Sequence, residues 1–158
     1  MKAMSLRKLA DLQVEPDPLQ LVECPIPEPG PGEVRIRVLT CGVCHTELDE
    51  IEGRTPPPSL PVIPGHQVVG QIDKLGREVS DRRLGERIGV AWIYSACGQC
   101  KWCHTARENL CPEFRATGRD VDGGYAEYMV APAAFVHTIP ATFTSAEAAP
   151  LLCAGSIG

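Results

Sequence analysis

Four cysteines crowd one short stretch of the chain: Cys97, Cys100, Cys103 and Cys111, spaced C-x2-C-x2-C-x7-C. A thiolate is a soft, charged ligand, and four of them held close together suit a tetrahedral zinc ion with no open position. Two residues between ligands let the backbone curl around a metal, with neighbouring peptide N–H groups aimed at the sulfurs. Gly98 sits inside the first knuckle, where a positive φ is expected. The competing reading is a pair of disulfide-closed loops, which needs an oxidising compartment. A closed four-thiolate site is structural. It staples a loop and leaves no place for a reactant.

Three further segments hold residues that bind metals: Cys44 in CGVCHTE, His66 in PGHQVVG and Cys153 in LLCAG. Two sulfurs and one imidazole around zinc would leave the fourth position open for water or substrate, as in a catalytic site. Spacing alone does not assemble such a trio. A lone histidine is commonly a surface or satisfied core residue, and a lone cysteine a small buried hydrophobe.

The elements that must position these groups read as mostly β. Fifteen Gly and fifteen Pro punctuate short β-rich runs, the mark of an irregular barrel. Strands are predicted over Leu19–Cys24, Val34–Thr40, Gln67–Leu75, Arg87–Ile93 and Tyr125–Ala131, where apolar and polar positions alternate. Thr46–Glu52 reads as a short acidic helix. RTPPPSLPVIPG can be neither helix nor central strand, because proline removes donors and restricts its neighbours. Thr144, three residues before Glu147, forms a capping-box pattern that opens a helix through AEAAPLLCAG, with Pro150 a potential kink.

With 158 residues the chain suits one domain able to bury a core without disulfides. MKAMSLRKLADL lacks the apolar stretch of a signal peptide, and no run approaches a membrane span. Eight cysteines without an export signal imply a reducing, cytoplasmic setting with thiols free for metal. The formal net charge is −5 with scattered basic residues, which disfavours a nucleic-acid surface.

Taken together these motifs resemble a family. GHQVVGQIDKLGREV matches the zinc signature of the zinc-dependent alcohol dehydrogenases of the medium-chain dehydrogenase/reductase superfamily, with Gly70, Gly76 and Val79 at the expected offsets. CGVCHTE, the four-cysteine lobe, DGGYAEYMV and PLLCAG follow in the family's order. The resemblance implies a GroES-like β-barrel catalytic domain over residues 1–143, with a structural-zinc lobe at about 95–113. Residues 144–158 would begin the helix leading toward a Rossmann domain. It implies Cys44, His66 and Cys153 as catalytic-zinc ligands and Cys97, Cys100, Cys103 and Cys111 as structural ones, two Zn2+ per full subunit. Thr46 takes the hydroxyl position that passes the alcohol proton outward, His45 a position near the cofactor pyrophosphate, and Trp92 a wall of the substrate pocket. The reaction implied is alcohol plus NAD or NADP to aldehyde or ketone plus reduced cofactor. A homo-oligomer is implied for the full-length parent, with no nucleic-acid or membrane partner.

Three departures qualify the resemblance. Gln67 stands where the family usually has Glu, which leaves the expected site without that carboxylate. Asp49 stands where some members place a histidine at the end of the proton relay. No G-x-G-x-x-G fingerprint follows a strand and no strand–helix alternation appears, so the Rossmann half is expected to be absent from this chain. These 158 residues alone are then expected not to turn over alcohol. A non-catalytic zinc module that uses the four-cysteine lobe for interaction is the alternative.

Overall fold

The alternation in EVRIRVLTCG builds the longest strand of the protein, β3 (Glu33–Gly42), with Val34 and Ile36 wholly buried. The computed structural model describes residues 1–157. β3 is flanked in a five-stranded sheet of order β8 (Tyr128–Pro132), β3, β4 (Gln67–Leu75), β5 (Arg87–Val90) and β9 (Val136–Thr138). Two small sheets complete the β structure: β1 (Lys2–Leu6) with β2 (Leu19–Glu23), and β6 (Ile93–Ser95) with β7 (Arg115–Ala116). Every strand pair among the described residues is antiparallel. No helix among them is long and apolar enough to cross a membrane.

The inward faces of the large sheet meet in one cluster that includes Val34, Ile36, Val68, Ile72, Ile88, Val90, Met129 and Val136. Each such side chain is worth about 1.5–3 kcal/mol of burial, so the sheet is the rigid frame on which the sites are built. Register shifts between Arg35 and Ile36 and between Val38 and Thr40 bend β3 where it runs beside β4.

Two of the expected strands differ from the observed ones. Arg87–Ile93 is not continuous: β5 ends at Val90, and the chain diverts to pair with β7. The diversion is held by Thr117, whose backbone N–H bonds to Trp92 O at 2.9 Å and whose hydroxyl donates to Ala91 O at 2.8 Å. Tyr125 and Ala126 also lie outside β8. They pair instead with the amino-terminal strand, Met4 N donating to Tyr125 O at 2.8 Å. β1 itself carried no strand signal in MKAMSL. Tertiary pairing with β2 and with this segment makes it one.

The proline-rich stretch runs as a loop with a cis Leu60–Pro61 bond and delivers the chain to Gly65 and His66. The carboxy-terminal helix forms as α2 (Ser145–Leu151), opened by the expected capping box: Glu147 N donates to Thr144 Oγ1 at 3.2 Å, and Thr144 N to Glu147 Oε2 at 2.9 Å. Pro150 lies within it, and the chain breaks at Leu152–Cys153 before a last turn, α3 (Ala154–Ile157). Ala148 and Ala149 pack on Val69 of β4 and so anchor the segment that carries Cys153 to the sheet. Gly158, the end of the 144–158 segment, lies outside the described residues.

Candidate metal centres

The tertiary structure gathers both predicted sets of metal-binding residues. The ligand atoms of Cys97, Cys100, Cys103 and Cys111 all lie within 4.8 Å of one another. The Cys100–Cys103 and Cys97–Cys103 sulfurs are 3.6 and 3.9 Å apart. A tetrahedron of ~2.3 Å zinc–sulfur bonds spaces its sulfurs about 3.8 Å apart, whereas a disulfide needs ~2.05 Å. All eight cysteines are free thiols, so the separations fit a metal and not a bridge. Gly98 adopts φ +72°, as the knuckle requires. Backbone N–H groups of Cys97 and Glu113 point at Cys111 Sγ from 3.4 and 3.3 Å. The Cys103 backbone N–H, acting first, holds the Cys100 thiol down to about 7, which favours the thiolate that zinc needs.

The second set comes from three separate parts of the fold. Cys44 caps the amino end of α1 (His45–Ile51), His66 precedes β4 and Cys153 follows α2. Their ligand atoms also lie within 4.8 Å of one another, and the two sulfurs are 4.0 Å apart. Burial, then the neighbouring Cys44, pushes the Cys153 thiol up to about 11. Metal binding at this centre must displace the Cys153 proton, so it is expected to weaken in acid. Gly65 turns the chain inward at φ +102°, a conformation that L side chains rarely adopt, and an added Cβ would meet Tyr125 at 2.7 Å.

His66 is completely buried, and its Nδ1 lies 2.6 Å from Oε1 of the equally buried Glu47. Those atoms have no other partner among the described residues, and neither has His66 Nε2. A proton on Nδ1 held by Glu47 leaves the Nε2 lone pair free for a metal. The other Glu47 oxygen accepts from Cys44 N at 2.7 Å, so one carboxylate braces two residues of the Cys44, His66 and Cys153 cluster. Sequence reasoning missed Glu47. Its position three residues after an N-cap was legible as a capping signal, but nothing local showed that its side chain reaches the histidine. The expectation of a site without a carboxylate is therefore corrected: Gln67 is neutral, but Glu47 supplies the charge.

Gln67 is buried against Gly42, and its Nε2 lacks a hydrogen-bond partner among the described residues. Thr46 Oγ1 lies 3.6 Å from Cys44 Sγ. Thr46, Asp49, Trp92, Leu152 and Cys153 line one cavity of about 540 Å3, largely apolar in its walls. Trp92 stands edge-on to His66, ring centroids 5.0 Å apart. Asp49 is gripped by the Arg54 guanidinium and lies 3.7 Å from His45 Nε2. The His45 side chain is 75% exposed.

Replacing Glu47 with Gln is expected to weaken zinc at this centre about 10-fold or more while leaving the four-cysteine lobe filled. Chelator competition resolves the two zincs. Equal affinities for parent and variant would remove Glu47 from the site.

An antiparallel β framework thus carries a four-cysteine lobe and a Cys–His–Cys cluster drawn from three separate segments. The family described as the alcohol dehydrogenase GroES-like domain matches residues 30–141, and the chain belongs to it. It is 47% identical over 146 residues to the probable alcohol dehydrogenase AdhA of Mycobacterium tuberculosis, covering 89% of this chain and 42% of that protein. It is 47% identical over 139 residues to an alcohol dehydrogenase of Geobacillus stearothermophilus, covering 87% of this chain and 41% of that one. The cobalt- and zinc-bound thermostable alcohol dehydrogenase of Pyrobaculum aerophilum superposes with a TM-score of 0.84 at 33% identity, over 96% of this chain and 44% of that chain. The chain thus spans about two fifths of the length of the relatives it matches.

Proposed function

We propose that this chain is the zinc-bearing catalytic portion of an NAD(P)-dependent alcohol dehydrogenase that interconverts a small alcohol and its aldehyde or ketone. The observation that carries the reading is the convergence of Cys44, His66 and Cys153, the last of which lines a largely apolar cavity together with Thr46. When bound, zinc supplies Lewis acidity at the open position, and the nicotinamide supplies the hydride chemistry.

The chain's own residues hold and move the rest. Cys44 and Cys153 offset the metal's charge, while Glu47 fixes the His66 tautomer and ring plane. Thr46 offers a hydroxyl that is both donor and acceptor, so it takes a proton from a substrate hydroxyl and passes it on. Asp49 lines the same cavity and serves as the next acceptor. His45, exposed beside Asp49, is placed to meet an anionic cofactor or return the proton to solvent. Trp92, Ile93 and Leu152 exclude water from the carbon that reacts. The four-cysteine lobe contributes a second zinc without chemistry.

The test is to graft this chain in place of the matched segment of the Geobacillus stearothermophilus relative. Alcohol-dependent reduction of NAD(P)+ is expected, and it should vanish when His66 is replaced with Ala. A folded, zinc-loaded graft without that activity would overturn the reading. In the active graft, Gln67→Glu adds a carboxylate directly after His66, besides that of Glu47, and disfavours the loss of the substrate proton. The kinetic pKa of alcohol oxidation should therefore rise, and an unshifted or lowered value would count against this role for Gln67.

A further inference from the structure

Residues 117–125, TGRDVDGGY, supply no ligand to either metal-binding cluster, yet they run from the end of the cysteine lobe past the cavity wall to the approach of His66. Thr117 is a polar residue with no exposure. Its hydroxyl donates to Ala91 O at 2.8 Å and its N–H to Trp92 O at 2.9 Å, while Ala116 just before it pairs with Ile93. Ala91, Trp92 and Ile93 are consecutive and all line the cavity of about 540 Å3, so Thr117 and its neighbour hold that stretch of wall.

The same segment then meets the chain that carries His66. Residues 63–66 belong to no strand or helix. The turn bonds their backbone instead: Gly123 N donates to Ile63 O at 2.6 Å, Tyr125 N to Pro64 O at 3.0 Å and Gly124 N to Gly65 O at 2.8 Å. A fourth bond comes from a side chain, Asp122 Oδ1 accepting from Ile63 N at 2.9 Å. Backbones this close leave no room for a Cβ, and one added at Gly123 would stand 2.2 Å from Gly65 O. Ile63 is buried, so without Asp122 its N–H loses a charge-assisted bond and finds little water to replace it.

We propose that Thr117 and Asp122 are positioning residues, one fixing Trp92 and the other the approach to His66, so that the 117–125 segment sets the cavity wall against the metal-binding histidine. The two rings stand edge-on with centroids 5.0 Å apart. The ladder that pairs β4 with β5 stops at Val68 and Val90, two residues short of both rings. From there the carbonyls that the sheet would have used are taken by Thr117 and by residues 123–125. A zinc–nitrogen bond of ~2.0–2.1 Å tolerates little displacement, so the backbone that presents the imidazole must be held closely. The consequence for substrate rests on the alcohol-dehydrogenase reading; the placement of the two rings does not.

The experiment has one readout for each residue. Cobalt(II) is titrated into the reduced, metal-free chain, and the visible bands that His66→Ala lacks are assigned to the Cys44, His66 and Cys153 centre. Asp122→Ala is expected to weaken cobalt there about 10-fold and to shift those bands, with the bands of the four-cysteine lobe unchanged. Asp122→Asn keeps an oxygen acceptor and should restore both. For Thr117, the zinc-loaded chain carries Trp102→Phe, which leaves Trp92 as the sole tryptophan. Thr117→Val is expected to move Trp92 emission to longer wavelength and to open the ring to iodide quenching, and Thr117→Ser to reverse the change. A turn that serves stability alone predicts lower melting with spectra like the parent's, and that result in Asp122→Ala or in folded Thr117→Val overturns the proposal. Should Thr117→Val fail to fold, the two Asp122 variants decide alone. A parent without second-centre cobalt bands would count against the metal reading, and the Thr117 variants would then decide the positioning. No readout uses alcohol or nicotinamide, so failure here and failure of the functional reading are separable.

Discussion

Replacing Cys100 or Cys103 with Ser is expected to remove one zinc per chain and to lower the melting temperature by roughly 10 to 20 °C. The lobe between Ala96 and Glu113 holds only two short 3-10 turns, at Cys103–Thr105 and Glu108–Leu110, and neither buries an apolar side chain. Cys111 is its buried residue; Leu110 is 48% exposed. A segment so poor in apolar burial cannot order itself, and a four-thiolate zinc worth ~10 kcal/mol or more is the available source of stability. That figure is comparable with the whole stability of a domain, so even partial loss is large. Serine keeps the size and removes the thiolate, which separates a metal role from packing. Metal analysis together with thermal melting measures both quantities. Full zinc stoichiometry with an unchanged melt in either variant would falsify the structural-zinc assignment.

Glu50→Gln is expected to stabilise the protein at alkaline pH and to do little in acid. The unfolded carboxyl ionises in the ordinary range near 4.5, whereas the folded one keeps its proton to about 8 because burial, then Glu47, opposes its charge. The folded-state pKa is raised, so Glu50's contribution is intact below about 4.5 and is lost progressively as pH climbs through 8. Glutamine has nothing to ionise and escapes that loss. Linkage puts the difference at on the order of 3–5 kcal/mol above about pH 9, falling toward zero near pH 4. Urea unfolding of parent and variant at the two extremes measures it. A difference independent of pH would show that Glu50 is not held protonated by the fold.

What could be read from the chain and what could not divide along the distance over which each feature is determined. The cysteine lobe was legible because its ligands lie within one loop, and its geometry follows from knuckle spacing and a positive φ at Gly98. β3 and β4 were legible because one face of each is buried, so alternation records it. The capping box at Thr144 was legible for the same local reason. Cys44, His66 and Cys153 were nameable through their motifs, but only the packing of α2 on β4 and the turn at Gly65 bring them within reach of one ion. β1 and the break between β5 and β6 escaped because pairing decides them, β1 with β2 and the distant Ala126, and β6 with β7 beyond the lobe.

Glu47 and Glu50 mark the boundary most clearly. HTELDEI reads as an acidic helix whose carboxylates belong in water, because a charge is expected to stay solvated unless something compensates it. The sequence determines the helix, its cap and its acidity. Which face turns inward is decided by Tyr125 and His66, brought from two other segments against α1. Burial and partner charge are properties of that assembly, and they alone convert two ordinary glutamates into a brace for a metal-binding histidine and a carboxyl that keeps its proton past neutrality.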